Sequence, residues 1–89
     1  MFRVRWKRSA LNQLTNFWTQ ASPAQRQAIT SASQKIDQQL GRDPRNAGES
    51  RSGGRRILFA PPLVVIFRIE PDGQTVSVLE VRMIRRRGT

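Results

Sequence analysis

The spacing of the apolar residues changes twice along the 89-residue sequence, and these changes constrain the fold more than any other feature. Residues 2–7 alternate, with Phe2, Val4 and Trp6 separated by cationic side chains, which predicts a strand buried on one face. Residues 10–40 repeat at helical spacing, and residues 57–84 return to alternation. The sequence therefore predicts one strand, a helical segment and then three strands.

The helical segment divides into two helices. Ser22, Pro23 and Gln25 form a capping-box signature, so a second helix should begin there. Ser9 is expected to cap the first helix, and Gly41 is expected to end the second. Because almost nothing joins the two helices, they must fold back on each other as a hairpin.

The order of elements defines a fold class. Neither helix lies between two adjacent parallel strands as a short crossover. We therefore expect an α+β fold, in which an N-terminal helical hairpin covers one face of a small, antiparallel, four-stranded sheet (β-α-α-β-β-β). Residues 1–89 are enough for a single domain with one modest core. The other face of the sheet should stay open to a partner.

Counting in twos assigns the strand residues to the two faces. The more apolar set, which should meet the helices, is Leu63, Val65, Phe67, Ile69, Leu79, Val81 and Met83. The open face should carry Val64, Ile66, Arg68, Glu80, Arg82, Ile84 and either Arg55 or Arg56. The choice between the last two depends on the register of the reversal at Pro61-Pro62. We also expect Glu80 to pair with a neighbouring arginine in a surface salt bridge worth under about 1 kcal/mol.

The charge predicts the kind of partner. Sixteen Lys and Arg residues against six Asp and Glu give a net charge of +10, and only Lys7 and Lys35 of the sixteen are lysines. Arginine binds phosphate through two parallel hydrogen bonds, so a polyanionic partner is expected.

The sequence contains no Cys, His or Tyr, and its acidic residues show no metal-ligand spacing. We therefore expect no metal and no cofactor. No signal peptide is visible, and the apolar run at 57–67 is too short to span a bilayer. The expected location is the cytoplasm, without a membrane contact.

The order of elements resembles the RelE/ParE toxin superfamily of bacterial type II toxin–antitoxin systems. The segments DPRNAGE, GRRILF, LVVIFRI and TVSVLEVRMIRRR carry this resemblance, which covers essentially the whole chain. It implies a small basic toxin that is wrapped and held inactive by an acidic antitoxin protein. RelE-like members enter the ribosomal A site and cut messenger RNA through attack by the ribose 2′-hydroxyl, whereas ParE-like members poison DNA gyrase.

The resemblance also implies site residues. Members that cut messenger RNA carry basic residues in the second strand and an arginine after the last strand, which correspond to Arg55 and Arg56 and to the neighbourhood of Arg86. Val64 stands where a third-strand arginine is expected. Together with the face assignment, this predicts a catalytic group and an RNA-binding group. The expected catalytic group is Arg56, Arg68, Arg82, Arg86 and Glu80. The expected RNA-binding group is Arg51, Arg55, Arg85 and Arg87.

Three functions follow as expectations. The first is a RelE-like toxin that inhibits translation by ribosome-dependent messenger RNA cleavage at its arginine-lined face, with the antitoxin, the ribosome and messenger RNA as partners. Arginine stabilises a pentavalent phosphate but is a poor base, so Glu80 or the ribosome would have to assist. Because His and Tyr are missing, the second expected function is that of a ParE-like toxin, which acts on gyrase without cutting RNA. A catalytically inactive nucleic-acid-binding member is the third.

Overall fold

The computed structural model of the protein describes residues 1–84. Its helices and strands are β1 (Arg3–Trp6), α1 (Arg8–Gln20), α2 (Pro23–Arg42), β2 (Glu49–Ser50), β3 (Arg55–Ala60), β4 (Leu63–Ile69) and β5 (Thr75–Met83). A single turn of 3-10 helix lies at Pro44–Asn46, and a tight turn at Ser52–Gly54 contains the positive φ of Gly53. The predicted order of one strand, two helices and three long strands is confirmed, with the two-residue β2 added.

The strands form one mixed sheet in the order β1-β5-β4-β3-β2. The pairings of β2 with β3, β3 with β4 and β4 with β5 are antiparallel, whereas β1 runs parallel to β5. The α+β class is therefore confirmed, but the expectation of four antiparallel strands is wrong. The sheet gains a fifth strand because the loop before β3 pairs with it, and the helical hairpin returns the chain so that β1 lies parallel to β5.

The structure has the predicted cap at the start of α2, but not the predicted cap of α1 or the predicted end of α2. The Ser22 Oγ accepts a hydrogen bond from the Gln25 backbone N–H at 3.3 Å, and Gln25 Oε1 accepts one from the Ser22 N–H at 2.9 Å, so the predicted capping box is confirmed. Ser9 lies inside the first turn of α1, where Lys7 is the N-cap residue and makes no side-chain cap. α2 also runs one residue past Gly41, whose carbonyl accepts from the Phe2 N–H at 2.8 Å.

The core lies between the helices and one face of the sheet. α2 contributes Ile29, Ile36 and Leu40, which are at most 1 % exposed. The sheet contributes the buried residues Leu58, Leu63, Val65, Phe67, Val76, Val78 and Val81. The prediction that Leu63, Val65 and Phe67 meet the helical hairpin is confirmed. In the part of the chain that the structure describes, neither helix has the length and hydropathy needed to cross a membrane.

A β-bulge in β5 shifts the alternation. Ile66 pairs with Glu80 while Phe67 pairs with Val78, so Leu79 is an extra residue on β5. The expectation that Leu79 points into the core is therefore wrong, since the fully buried Val78 takes that role. Past the bulge, Val81 is buried as expected. Its backbone N–H donates to Gln13 Oε1 of α1 at 2.8 Å, because β5 extends beyond the end of β1.

Candidate macromolecule-binding face

The sheet register defines a face that neither helix covers. Residues directly opposite each other on neighbouring strands point to the same side of a sheet. Starting from Arg68, the pairings place on the side opposite the core the strand residues Arg3, Arg5, Glu49, Arg55, Ile57, Phe59, Val64, Ile66, Arg68, Thr75, Ser77, Glu80 and Arg82. We call this surface the open face. Arg68, Glu80 and Arg82 therefore share one surface, as the alternation predicts.

Arg55 and Arg56 lie on opposite sides of the sheet. Arg55 pairs with Arg68 and belongs to the open face, whereas Arg56 pairs with the buried Phe67. The Arg56 guanidinium donates to the carbonyl oxygens of Ala47 at 3.0 Å and Gly48 at 3.3 Å. It also donates to Ser50 Oγ at 2.9 Å. Placing Arg56 with Arg68 and Arg82 in one group is therefore wrong, because its side chain secures the loop that precedes β3.

A carboxylate outside the expected site holds Arg68. The Arg68 guanidinium donates to Glu70 Oε1 through Nη2 at 3.0 Å and through Nε at 3.2 Å. The hydroxyl of Ser77, which is 1 % exposed, donates to the other oxygen of Glu70. These hydrogen bonds, that of Ser77 first and those of Arg68 next, lower the pKa of Glu70 below its ordinary value. The two-residue spacing between Arg68 and Glu70, which follows directly after β4, is the sequence signal that could have suggested this ion pair.

Glu80 pairs with Arg82 on the same face, which confirms the expected surface salt bridge. The Arg82 side chain is 68 % exposed, so the pair contributes little to stability. Arg51, which precedes β3, is also exposed, and its Nη1 lies 3.7 Å from Glu49 Oε1. All three glutamates of the sequence therefore stand two residues from an arginine partner. Arg85, Arg86 and Arg87 lie outside the described residues.

An apolar block occupies the middle of the open face. It consists of two cross-strand pairs between β3 and β4, Ile57 with Ile66 and Phe59 with Val64. Phe59 is 54 % exposed, and the other three are half-buried. An apolar centre with a charged rim is typical of a protein-binding surface.

The open face has the groups needed to bind anions, but few groups that could transfer protons. Among residues 1–84, its strands carry the guanidinium groups of Arg3, Arg5, Arg55, Arg68 and Arg82, which suit anions. Glu70 and Glu80 are both engaged by arginine. Within the same residues, acidic side chains do not gather in a group of three or more that could hold a metal ion.

The architecture defines a class of protein. The chain is similar to a chain of the chromosomal ParDE toxin–antitoxin system of P. aeruginosa, with a TM-score of 0.76, 19% identity and coverage of 96% of this chain and 98% of that one. It is also similar to a chain of the toxin–antitoxin complex RelBE2 from Mycobacterium tuberculosis, with a TM-score of 0.70, 22% identity and coverage of 92% and 96%. The isolated E. coli RelE toxin gives a TM-score of 0.66 at 12% identity, with coverage of 97% and 87%. The fold is thus that of the RelE/ParE toxins.

The sequence assigns the family. Residues 4–87 match the model of the ParE toxin of the type II toxin–antitoxin system parDE. The chain belongs to this family and is a toxin of a type II toxin–antitoxin system in the RelE/ParE superfamily. No curated protein sequence matches it significantly.

Proposed function

We propose that this toxin acts as ParE-like members of the superfamily do, by binding and poisoning DNA gyrase in the cytoplasm without cutting RNA. All 89 residues would act as a single domain. The match to the ParE family over residues 4–87 supports this choice. The observation that carries it is the state of the carboxylates on the open face, which leaves RNA cleavage without an evident base.

Cleavage of RNA by the 2′-hydroxyl requires a group that accepts a proton and a group that donates one. The sequence has no His and no Tyr. Glu80 is held by Arg82, and the lowered pKa of Glu70 makes it a weak base. Arginine stays protonated and cannot replace them. The face is therefore better suited to holding a macromolecule than to transferring protons.

The test combines a gyrase assay with a transcript assay. The purified toxin should inhibit DNA supercoiling by gyrase, and gyrase-linked double-strand breaks should accumulate in the DNA. In cells that express it, primer extension should show intact transcripts during growth arrest. Cuts inside translated codons, together with unaffected supercoiling, would contradict the proposal and favour the second candidate.

The second candidate is the RelE-like ribosome-dependent endoribonuclease, with the ribosome and messenger RNA as partners. Arg55, Arg68 and Arg82 on one face favour it, since guanidinium groups stabilise the charge of a phosphoryl transition state. The likeness to the RelBE2 and RelE structures is compatible with it. A catalytically inactive nucleic-acid-binding member would produce neither supercoiling inhibition nor transcript cleavage.

We propose an acidic antitoxin as the protein partner. The structures of similar fold include the ParDE system and the RelBE2 and E. coli RelBE complexes. The net charge of +10 suits an acidic chain, and the apolar block offers it an anchor. Phe59→Asp should weaken binding of the co-expressed antitoxin at least tenfold. Leu11→Asp alters a residue of α1 that is 46 % exposed, and it should leave binding unchanged. Equal effects of the two variants would contradict this use of the open face.

A further inference from the structure

The helical hairpin presents an uncharged surface on a strongly charged chain. Charged residues make up 25% of the sequence, but between Arg8 and Lys35 the only one is Arg26. This segment forms all of α1 after its first residue and more than half of α2. Most of its exposed side chains are amides and hydroxyls. Because the helices lie on the core side of the sheet, this surface is separate from the open face.

The charge of Arg26 is used inside the hairpin. Its Nε donates to the carbonyl oxygen of Trp18 at 2.9 Å, and its Nη2 donates to that of Thr19 at 3.0 Å. Its Cζ also lies 4.3 Å from the centre of the Trp18 ring. The two carbonyl groups belong to the last turn of α1, whose partial negative charge offsets the guanidinium. The half-buried Arg26 therefore adds little charge to the outer surface.

An apolar stripe crosses this uncharged surface. Leu11 and Trp18 of α1 are 46 % and 42 % exposed, and they lie two helical turns apart on one side of the helix, with Thr15 between them. We call these three residues the α1 stripe. A groove of about 190 Å³ follows the seam between the helices and is lined by Leu14, Thr15, Trp18, Ile29, Thr30 and Ser33. Exposed aromatic and apolar side chains without neighbouring charges are typical of the centre of a protein interface.

We propose that a second copy of this chain binds the α1 stripe, so that two copies pair through antiparallel α1 helices. Two chains of net charge +10 repel each other, and they approach most readily where both surfaces lack charge. An acidic partner, in contrast, would gain no charge attraction at this surface. A two-fold axis close to Thr15 brings Leu11 of each copy to Trp18 of the other, so the stripe is complementary to itself.

The size of the hairpin limits the strength of this dimer. An α1 of 13 residues is about 20 Å long, and two helices side by side are about 20 Å wide. The contact area is therefore about 400 Å² per copy, about half that of a standard stable interface. We expect a weak dimer with a dissociation constant of about 0.1 mM. Its formation requires neither gyrase nor the antitoxin, so this inference goes beyond the proposed function.

Sedimentation equilibrium of the full chain measures the association. The chain is examined between about 0.01 and 1 mM, in about 50 mM and about 500 mM salt. We expect a monomer–dimer equilibrium that tightens at least threefold at the higher salt, because salt screens the repulsion between two cationic chains. A contact between opposite charges would weaken instead, so the direction of the salt effect distinguishes the two kinds of association.

Two neighbouring positions of α1 provide matched variants. Thr15→Arg and Asn16→Arg add the same charge at exposed residues, but Asn16 lies about 100° around the helix from Thr15 and outside the α1 stripe. Thr15→Arg should weaken the dimer at least tenfold, because two guanidinium groups would meet at the axis. Asn16→Arg should change it less than threefold. Phe59→Asp on the open face should also leave the dimer intact, and far-UV circular dichroism checks the fold of each variant.

Four outcomes would overturn the proposal. A chain that stays monomeric up to about 1 mM, about ten times the expected dissociation constant, would remove the dimer. Equal weakening by Thr15→Arg and Asn16→Arg would mean that only the total charge matters. Loss of the dimer in Phe59→Asp would move the contact to the open face. Loss of antitoxin binding in Thr15→Arg but not in Asn16→Arg would assign the α1 stripe to the antitoxin.

The dimer and the proposed function fail separately. A monomeric toxin that inhibits gyrase would sink only the dimer. A toxin that dimerises as described but fails in the gyrase assay would sink only the proposed function.

Discussion

Two adjacent arginines illustrate how much a single residue step changes in a sheet. Arg55 points to the open face beside Arg68, while Arg56 points to the other side and binds the loop at residues 47–50. Alternation alone shows that the two must differ, but not which one faces the partner. The answer depends on the pairing of Ala60 with Leu63 across Pro61-Pro62, which is a property of the folded hairpin.

Arg56→Gln is therefore expected to destabilise the protein rather than to act only on toxicity. It removes hydrogen bonds from a charged donor to the partly buried Ala47 carbonyl and to two further acceptors, so the free energy of unfolding should fall by about 2 kcal/mol. Arg55→Gln, which changes an exposed side chain, should stay within about 0.5 kcal/mol of wild type. Urea unfolding of both variants measures the difference. Equal stabilities would show that the Arg56 hydrogen bonds contribute nothing.

Gly48 fixes the same loop through its backbone. Its φ is +64°, and a Cβ at this position would lie 2.1 Å from the carbonyl oxygen of Ile57. Gly48→Ala should cost about 2 to 4 kcal/mol, since the clash adds to the penalty for a left-handed residue. Gly53 has a similar φ of +73° with nothing near the Cβ position, so Gly53→Ala should cost only about 1 kcal/mol. Thermal or urea unfolding that ranks the two variants in the reverse order would contradict the clash.

At the scale of helices and strands, the sequence predicts the features that depend on local residue spacing. The alternation in β4 assigns Val65 and Phe67 to the core, and the capping box locates the start of α2. The bulge at Leu79 and the parallel partner of β1 depend on contacts between distant segments, so no local pattern contains them. The two-residue β2 is too short to produce an alternation at all.

Ser22 and Ser9 allow the capping argument to be tested on two serines of one helical hairpin. Ser22→Ala removes the cap of α2 and should lower the free energy of unfolding by about 1 kcal/mol. Ser9 is exposed in the first turn of α1 and makes no cap, so Ser9→Ala should change stability by less than about 0.5 kcal/mol. Chemical denaturation is the measurement. A larger loss for Ser9→Ala would mean that α1 begins differently from the structure.

For the molecule as a whole, the arrangement of charge explains why the candidate site was only partly predictable. Arg68, Glu80 and Arg82 follow from counting in twos, since they lie on two strands that pair with each other. Arg5 is missing from the predicted site because its place depends on the parallel pairing of β1 with β5. Glu70 is missing because it lies beyond the end of β4, outside the alternation, and reaches Ser77 on the neighbouring strand. The sheet thus combines cations from both ends of the chain into one surface.

Two carboxyl groups with lowered pKa values predict how the stability of the protein depends on pH. The pKa of Glu70 lies below its ordinary value of 4.5 because of hydrogen bonds from Ser77 and then Arg68. The pKa of Asp72 lies below 3.8, mainly because of hydrogen bonds from the backbone N–H of Gln74 and the hydroxyl of Thr75. A carboxyl group whose pKa is lower in the folded chain than in the unfolded chain stabilises the fold above its unfolded pKa. That contribution is lost as the pH falls through the folded pKa.

We therefore expect the urea midpoint to be nearly constant above about pH 5 and to fall progressively below about pH 4.5. Full protonation also brings the net charge towards +16, the number of Lys and Arg residues, so self-repulsion adds to the loss. The double variant Glu70→Gln/Asp72→Asn tests the first cause, because it lacks the two titrating groups but reaches the same net charge as wild type when all carboxyl groups are protonated. Its midpoint should fall less between about pH 6 and about pH 3 than that of wild type, and the remaining fall should shrink in about 1 M salt. If the double variant loses as much stability as wild type over this range, Glu70 and Asp72 do not control the acid response, and repulsion alone accounts for it.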